Sequence, residues 1–188
     1  RDVVVNGPRQ AGKSTLVRQV QTERGPLVTL DDPVQLDLAV ADPIGFLDRL
    51  HDRATIDEFQ RGGTPLLLAL KQRLDDNNAR GQFLLAGSTR FVTTRRLAET
   101  LTGRVGIVDL LPLSAGEIRG VTEGFIDAAF SSAGVADVRP EPVERSRYTE
   151  QIALGGFPEV ALHPMSNRVR AAWCRSYLDT VLAPTNVE

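Results

Sequence analysis

One stretch constrains this chain more than any other. Gly7-Pro8-Arg9-Gln10-Ala11-Gly12-Lys13-Ser14 satisfies GxxxxGK[ST] and directly follows the β-branched run Val3-Val4-Val5. Such a run reads as a strand buried on both faces. Lys13 to Thr22, with Leu16, Val17 and Val20 at helical spacing, reads as a helix. Strand, glycine-containing loop and helix, in that order, form the context in which the pattern binds phosphate. Glycines let successive N–H groups turn inward around a β-phosphate, and the helix offers its positive N-terminus to the same anion. Lys13 is expected to reach the β- and γ-phosphates and the Ser14 hydroxyl to ligate magnesium, with Thr15 ending a nucleotide-contacting run that begins at Gly7. Arg9 and Gln10 face either phosphate or a partner. Chance alone would place this pattern in a chain of this composition about once in several hundred. Lysine is rare here beside arginine, which makes its placement at position 13 informative.

The rest of the first 113 residues alternates short apolar runs with longer helical or polar stretches, as a parallel α/β sheet does. Leu27-Val28-Thr29-Leu30 reads as a second strand, stopped by Asp31-Asp32-Pro33. Asp42-Pro43 reads as an N-cap with proline at the first helical position, opening a helix over Ile44, Phe46, Leu47 and Leu50. Ala54-Thr55-Ile56 is a third strand ending in the acids Asp57 and Glu58. Thr64-Pro65 caps a helix with Leu66, Leu67, Leu70 and Leu74 on one face. Gln82 to Ala86 and Val105 to Leu110 make strands four and five.

Two strand ends carry further chemistry. Adjacent acids after an apolar strand are either a solvated pair or the second half of an ATPase site. With the phosphate loop upstream the second reading is preferred: Asp57 holds magnesium through water and Glu58 polarises the attacking water. Leu84-Leu85-Ala86-Gly87-Ser88-Thr89 ends the fourth strand in hydroxyls, which serve either as a turn and N-cap or as a contact to the γ-phosphate, Ser88 ahead of Thr89. A strand with that role belongs between the loop-bearing and acid-bearing strands. The expected architecture is therefore α/β, a three-layer P-loop NTPase sandwich with a parallel sheet of order 5-1-4-3-2, its ligand at the carboxyl ends of the strands.

After Pro112 the pattern becomes amphipathic and helical. A small helical subdomain is expected over 114–188, with a flexible segment around 131–142 and helices over Tyr148 to Leu154 and Asn167 to Leu182. Gly155-Gly156-Phe157-Pro158-Glu159 breaks the helical pattern as a turn with Phe157 packed as a plug. Arg90, Arg95, Arg96 and Arg104 crowd the segment between strands four and five. They form either a solvated basic face or a source of an arginine finger, for which Arg104 is best placed, acting on a neighbouring subunit. His51 and His163 lack metal spacing, so no metal beyond magnesium is expected. A formal net charge of -2 gives no electrostatic case for nucleic acid as the main partner. The single Cys174 points to a reducing compartment, and no apolar run approaches the ~18 residues of a membrane span, so cytoplasmic residence follows by elimination. The opening at Arg1 instead of Met, straight into a strand, reads as a fragment of a longer protein.

Taken together, GPRQAGKSTL, LDDP, DP-x-x-FL, IDEFQ, LLAGSTR, LTGRVGIVDLLPLS and GGFPEV resemble a family of prokaryotic AAA-type ATPases. Its members carry an N-terminal AAA domain followed by a C-terminal domain of unknown function. The resemblance runs over nearly the whole chain. It implies a P-loop ATPase module, with ATP and magnesium as ligands and Lys13, Ser14, Asp57 and Glu58 in the matched positions. The partners expected besides ATP are a second copy of the chain (a homo-oligomer) or another protein, engaged through the C-terminal domain. Two departures stand out. The family's preceding N-terminal segment is absent, and after Tyr177-Leu178-Asp179-Thr180-Val181, which fits the entry to the C-terminal domain, Ala183-Pro184-Thr185 lacks the expected charges. The residues favour an ATP hydrolase over a nucleotide-gated switch with negligible turnover, because a switch has no need of Glu58. A small-molecule kinase lacks a visible acceptor pocket and lid.

Overall fold

Val3, Val4 and Val5 do become a central strand. The computed structural model describes residues 2–20, 25–77, 79–88, 100–131 and 142–182. Within them the chain divides into two compact units, Arg1–Pro112 and Leu113–Glu188. The first unit holds the strands β1 (Asp2–Gly7), β2 (Leu27–Thr29), β3 (Ala54–Asp57), β4 (Phe83–Ser88) and β5 (Val105–Asp109). They pair in the order β2-β3-β4-β1-β5, every described pair parallel, which is the expected 5-1-4-3-2 read from the other edge.

Side-chain alternation sorts the core into two layers. Val4, Leu85 and Ile56 point to one face, where they join Ala39, Phe46, Leu47, Leu66, Leu67 and Leu70 from three helices, α2 (Pro33–Ala41), α3 (Pro43–Arg49) and α4 (Gly63–Asp76). Val5, Leu84 and Ala86 point to the other, against Val17 and Leu16 of α1 (Lys13–Val20). Val4, Ile56 and Leu85 on one face and Val5, Leu84 and Ala86 on the other are all buried, so the strands that carry the site are held from both sides.

The predicted boundaries shift in ways the local chemistry explains. Helix α2 follows Asp31-Asp32-Pro33, which reads from sequence as a stop only. Asp32 caps it by accepting from Val34 N at 2.9 Å, with Pro33 in the first turn. The same grammar at Asp42-Pro43 opens α3, where Asp42 Oδ1 accepts from Gly45 N at 2.9 Å. Helix α4 starts at Gly63, one residue before the Thr64-Pro65 predicted to cap it. Its Leu66, Leu67 and Leu70 are buried as predicted, and Leu74 packs against the same core. Residues 21–24, and with them the end of the helix predicted to reach Thr22, lie outside the described residues.

The second unit is helical: α5 (Ala115–Arg119), α6 (Phe125–Ala129), α7 (Arg145–Leu154), α8 (Pro158–Ala161) and α9 (Asn167–Leu182). A capping box starts α5, with Ser114 Oγ accepting from Glu117 N at 3.1 Å and Glu117 accepting from Ser114 N at 2.7 Å; Gly120, at φ 65°, ends it. Phe157 does pack inward. Its ring centroid lies 5.5 Å from Trp173 and 4.8 Å from Tyr177, which stack on each other one turn apart on α9. The segment 132–141, most of the stretch expected to be flexible, lies outside the described residues.

Candidate functional site

The loop after β1 is shaped by what its backbone must do. A side chain on Gly7 would collide with the Leu110 carbonyl, so the strand end approaches its neighbour as only glycine can. Gln10 at φ 63° and Gly12 at φ 101° then turn the chain through left-handed conformations before α1 begins at Lys13. That sequence of turns places the loop ahead of the helix N-terminus, the geometry of an anion cradle. Ala11 is buried and Pro8 half-buried, while Arg9 and Gln10 stand at the surface.

Lys13 is the pivot. Its ammonium donates to the Gly7 carbonyl at 3.1 Å and the Pro8 carbonyl at 2.8 Å, and only 5% of the residue is exposed. Burial lowers its pKa from the ordinary 10.5; the charges of Glu58 and Asp57 oppose that shift and Arg9 adds to it. Those influences identify the electrostatic neighbours of the ammonium: both acids of the pair, from two strands away. Ser14 and Thr15 follow in the first turn of α1, Ser14 half-buried and Thr15 exposed.

Asp57 ends β3, buried, its Oδ1 accepting from Glu58 N at 3.0 Å. Glu58 sits at φ 52°, ψ 35°, a left-handed conformation uncommon for glutamate. A short 3-10 turn, Phe59–Gly62, follows at once. Inside it Gln60 reaches back, its Nε2 donating to Glu58 Oε2. Between β3 and β1 runs β4, and its Ser88 is the register partner of Gly7. Thr89 lies outside the described residues, as do Arg90, Arg95 and Arg96. At the carboxyl edge Asn6 also donates to Asp109 Oδ1 at 2.5 Å, tying the residue before the loop to the end of β5.

Arg104 stands elsewhere. It precedes β5, whose first residue Val105 pairs with Asp2, so it lies at the amino edge of the sheet. Five residues of strand put it roughly 17 Å from the edge that holds the loop. There its Nε and Nη2 meet Asp75 Oδ1 and Oδ2 at 2.5 and 3.0 Å, a two-point pairing that lowers the Asp75 pKa and raises that of Arg104. An open cleft of about 670 Å³ occupies this same edge, lined by Asp2, Asp75, Arg80 and Arg104 among others. Its distance from Lys13 separates it from the phosphate loop. Within a single chain, then, the loop, the acid pair and Ser88 come together and Arg104 does not join them.

No cluster of three or more His, Cys, Asp or Glu that could hold a metal ion occurs among the described residues. Magnesium needs no such cage, since it takes one or two protein oxygens together with substrate phosphates and water. The buried Asp57 carboxylate and the Ser14 hydroxyl are donors of that kind, so the residues fit the ion. Two contacts escaped the sequence reading. Asn6–Asp109 joins residues 103 apart in sequence, which no local pattern reports, whereas Gln60, two residues after Glu58, lay within a motif but was assigned no role.

A parallel sheet of this order, with a glycine-bearing loop running into a helix that opens on a buried lysine, defines a P-loop nucleotide-binding domain. A family model described as AAA domain matches residues 1–119, and the chain belongs to that family. Two uncharacterized proteins, one of Mycobacterium bovis and one of Mycobacterium tuberculosis, are each 36% identical over 117 residues. That span covers 62% of this chain and 26% of each relative's length. Among solved structures, a mutant of Thermotoga maritima RuvB is similar at 24% identity and a TM-score of 0.47, over 96% of this chain and 56% of that one. No helix among the described residues is long and apolar enough to cross a membrane.

Proposed function

We propose that this chain binds ATP with magnesium and hydrolyses it. One observation carries the reading: a buried lysine opens the helix after β1, at the same edge of the sheet as the buried Asp57 that ends β3 and the Glu58 that follows it. Lys13 would exchange the Gly7 and Pro8 carbonyls for β- and γ-phosphate oxygens, a stronger partner for a desolvated cation. Backbone N–H groups from Arg9 to Thr15 would hold the remaining phosphate oxygens at the helix N-terminus. Held by the Ser14 hydroxyl and, through water, by Asp57, magnesium would neutralise charge on the transferring phosphoryl group.

Glu58 would then accept a hydrogen bond from water and orient its oxygen toward the γ-phosphorus; as that oxygen bonds to phosphorus, the bond to the bridging oxygen breaks to release ADP, and the water's proton passes through Glu58 or directly to the phosphate formed. Ser88, beside Gly7, would contact the γ-phosphate or that water. Arg104 would act in trans on the nucleotide of a neighbouring copy, which makes a homo-oligomer part of the reading. Residues 1–113 would form the ATPase core and 114–188 a helical subdomain leading toward a C-terminal domain that binds partners, in the cytoplasm.

The test compares steady-state magnesium-dependent ATP turnover of this chain with that of Glu58→Gln, alongside ATP affinity by calorimetry. Turnover lost with affinity retained supports hydrolysis through Glu58. Equal turnover in both removes Glu58 from the mechanism, and tight binding with no turnover in either favours a nucleotide-gated switch.

A further inference from the structure

Glu58 does not stand alone in its left-handed turn. Gln60 Nε2 donates to Glu58 Oε2 across two residues, so the carboxylate is already held by its own chain. The other end of the Gln60 amide, Oε1, is buried and has no hydrogen-bond partner among the described residues. It lies against the end of β4: a Cβ on Gly87 would come within 2.8 Å of Gln60 Oε1 and 2.8 Å of the Phe59 ring. Gly87 immediately precedes Ser88, the register partner of Gly7. Burying an amide oxygen without a partner is unfavourable, so something else must fix the amide where it is. The groups that do so are the Glu58 carboxylate on one side and the side-chain-free notch at Gly87 on the other.

We infer that Gln60 is the positioning residue for Glu58: seated in the notch of Gly87, its amide fixes the carboxylate that the proposed hydrolysis uses to orient water. The inference rests on that reading of Glu58. Two features make the arrangement effective. A carboxylate on a flexible stem samples several rotamers, and a donor on one oxygen selects among them and leaves the other oxygen to face water. A donor carried by a rigid turn two residues away adds little freedom of its own, since Phe59 beside it is buried.

The test uses the intact chain and three variants: Gln60→Met, which keeps length and packing but has no donor, Gln60→Ala, and Glu58→Gln. The first readout is the Gln60 side-chain amide signal by NMR, assigned by its loss in Gln60→Met. It should move in Glu58→Gln, where the acceptor loses its charge, and this readout needs no turnover. An unmoved signal overturns the inference. The second readout is kinetic. Losing one hydrogen bond to a charged group should lower kcat about ten- to a hundredfold, with ATP affinity within about twofold of wild type because, among the described residues, the hydrogen bond of Gln60 goes to Glu58 and none goes to the phosphate loop. An unchanged kcat in Gln60→Met, with Glu58→Gln inactive, overturns the inference and leaves the proposed function standing. Full turnover in Glu58→Gln removes the function and the inference together.

Discussion

Ser88 is the register partner of Gly7: the hydroxyl-bearing end of β4 and the first residue of the phosphate loop lie side by side in the sheet. The relationship follows from β4 being inserted between β3 and β1. It gathers the ends of three strands, carrying Lys13, Ser88 and the Asp57–Glu58 pair, along one edge.

The lysine gives the first prediction. Its pKa is lowered by burial, and bound phosphate favours the ammonium. We predict that nucleotide affinity weakens as pH rises through that lowered value, below the ordinary 10.5, and that Lys13→Arg flattens the fall by keeping its charge. Without ligand the sign reverses. Charged Lys13 costs stability, so stability should climb as pH passes from the lowered value toward 10.5. Lys13→Ala should weaken ATP binding by roughly a hundredfold near neutrality while the circular dichroism stays unchanged. Calorimetry across pH checks both; undiminished affinity in Lys13→Ala would overturn the site.

Thr55 provides a stability test away from the chemistry. It is fully buried in β3, and its hydroxyl has no hydrogen-bond partner among the described residues. We predict that Thr55→Val stabilises the protein by about 1 kcal/mol, since valine fills the same shape without a desolvated hydroxyl. Urea unfolding measures it, and a destabilised variant would mean that the hydroxyl has a partner after all.

Leu85 provides the opposite sign. It is fully buried on β4, between β1 and β3. Leu85→Ala should cost about 3 kcal/mol through lost burial and the cavity left behind. A loss below about 1 kcal/mol in the same urea experiment would show that the layer collapses to fill the space.

Arg104 is committed to Asp75 by two hydrogen bonds, and a role in a neighbouring subunit requires that pairing to open or to orient the guanidinium. We predict that Arg104→Ala lowers turnover at chain concentrations where the protein assembles and has no effect where it is monomeric. Unchanged turnover in the assembled sample would end the idea. Because the Asp75 carboxyl is held below its ordinary 3.8, the pair should persist at that pH and come apart as pH falls through the lowered value.

Gly87 tests the positioning of Glu58 from the opposite side. A methyl there would intrude on Gln60 Oε1 and the Phe59 ring. Gly87→Ala should lower kcat without weakening ATP binding, and retained kcat would show that the amide does not need the notch.

Much of this was legible before any coordinates. Val3-Val4-Val5, the loop and the acid pair are local patterns with a local physical cause, and strand order followed from the role assigned to Ser88. Helix α2 was missed although Asp32-Pro33 carries the same signal as Asp42-Pro43. Its apolar residues, Val34, Leu36, Leu38 and Val40, fall on more than one face, so no helical stripe stood out after the proline. The Asn6–Asp109 and Arg104–Asp75 contacts depend on which strands neighbour each other and where a helix ends, so sequence spacing does not report them. Gln60 was visible as the last letter of IDEFQ, but its reach back to Glu58 comes from the tight turn that follows β3.

The pairing of β1 bears on how the protein comes into being. Asp2 and its β4 partner Phe83 are 81 residues apart, and Asn6 and Asp109 are 103 apart. Because the ribosome delivers the chain from its amino end, the strand that opens the loop emerges well before either of the strands it pairs with. Closing such long loops makes this the slow, non-local step of folding. Nucleotide retention by a nascent chain would then report that the first strand has met its later neighbours.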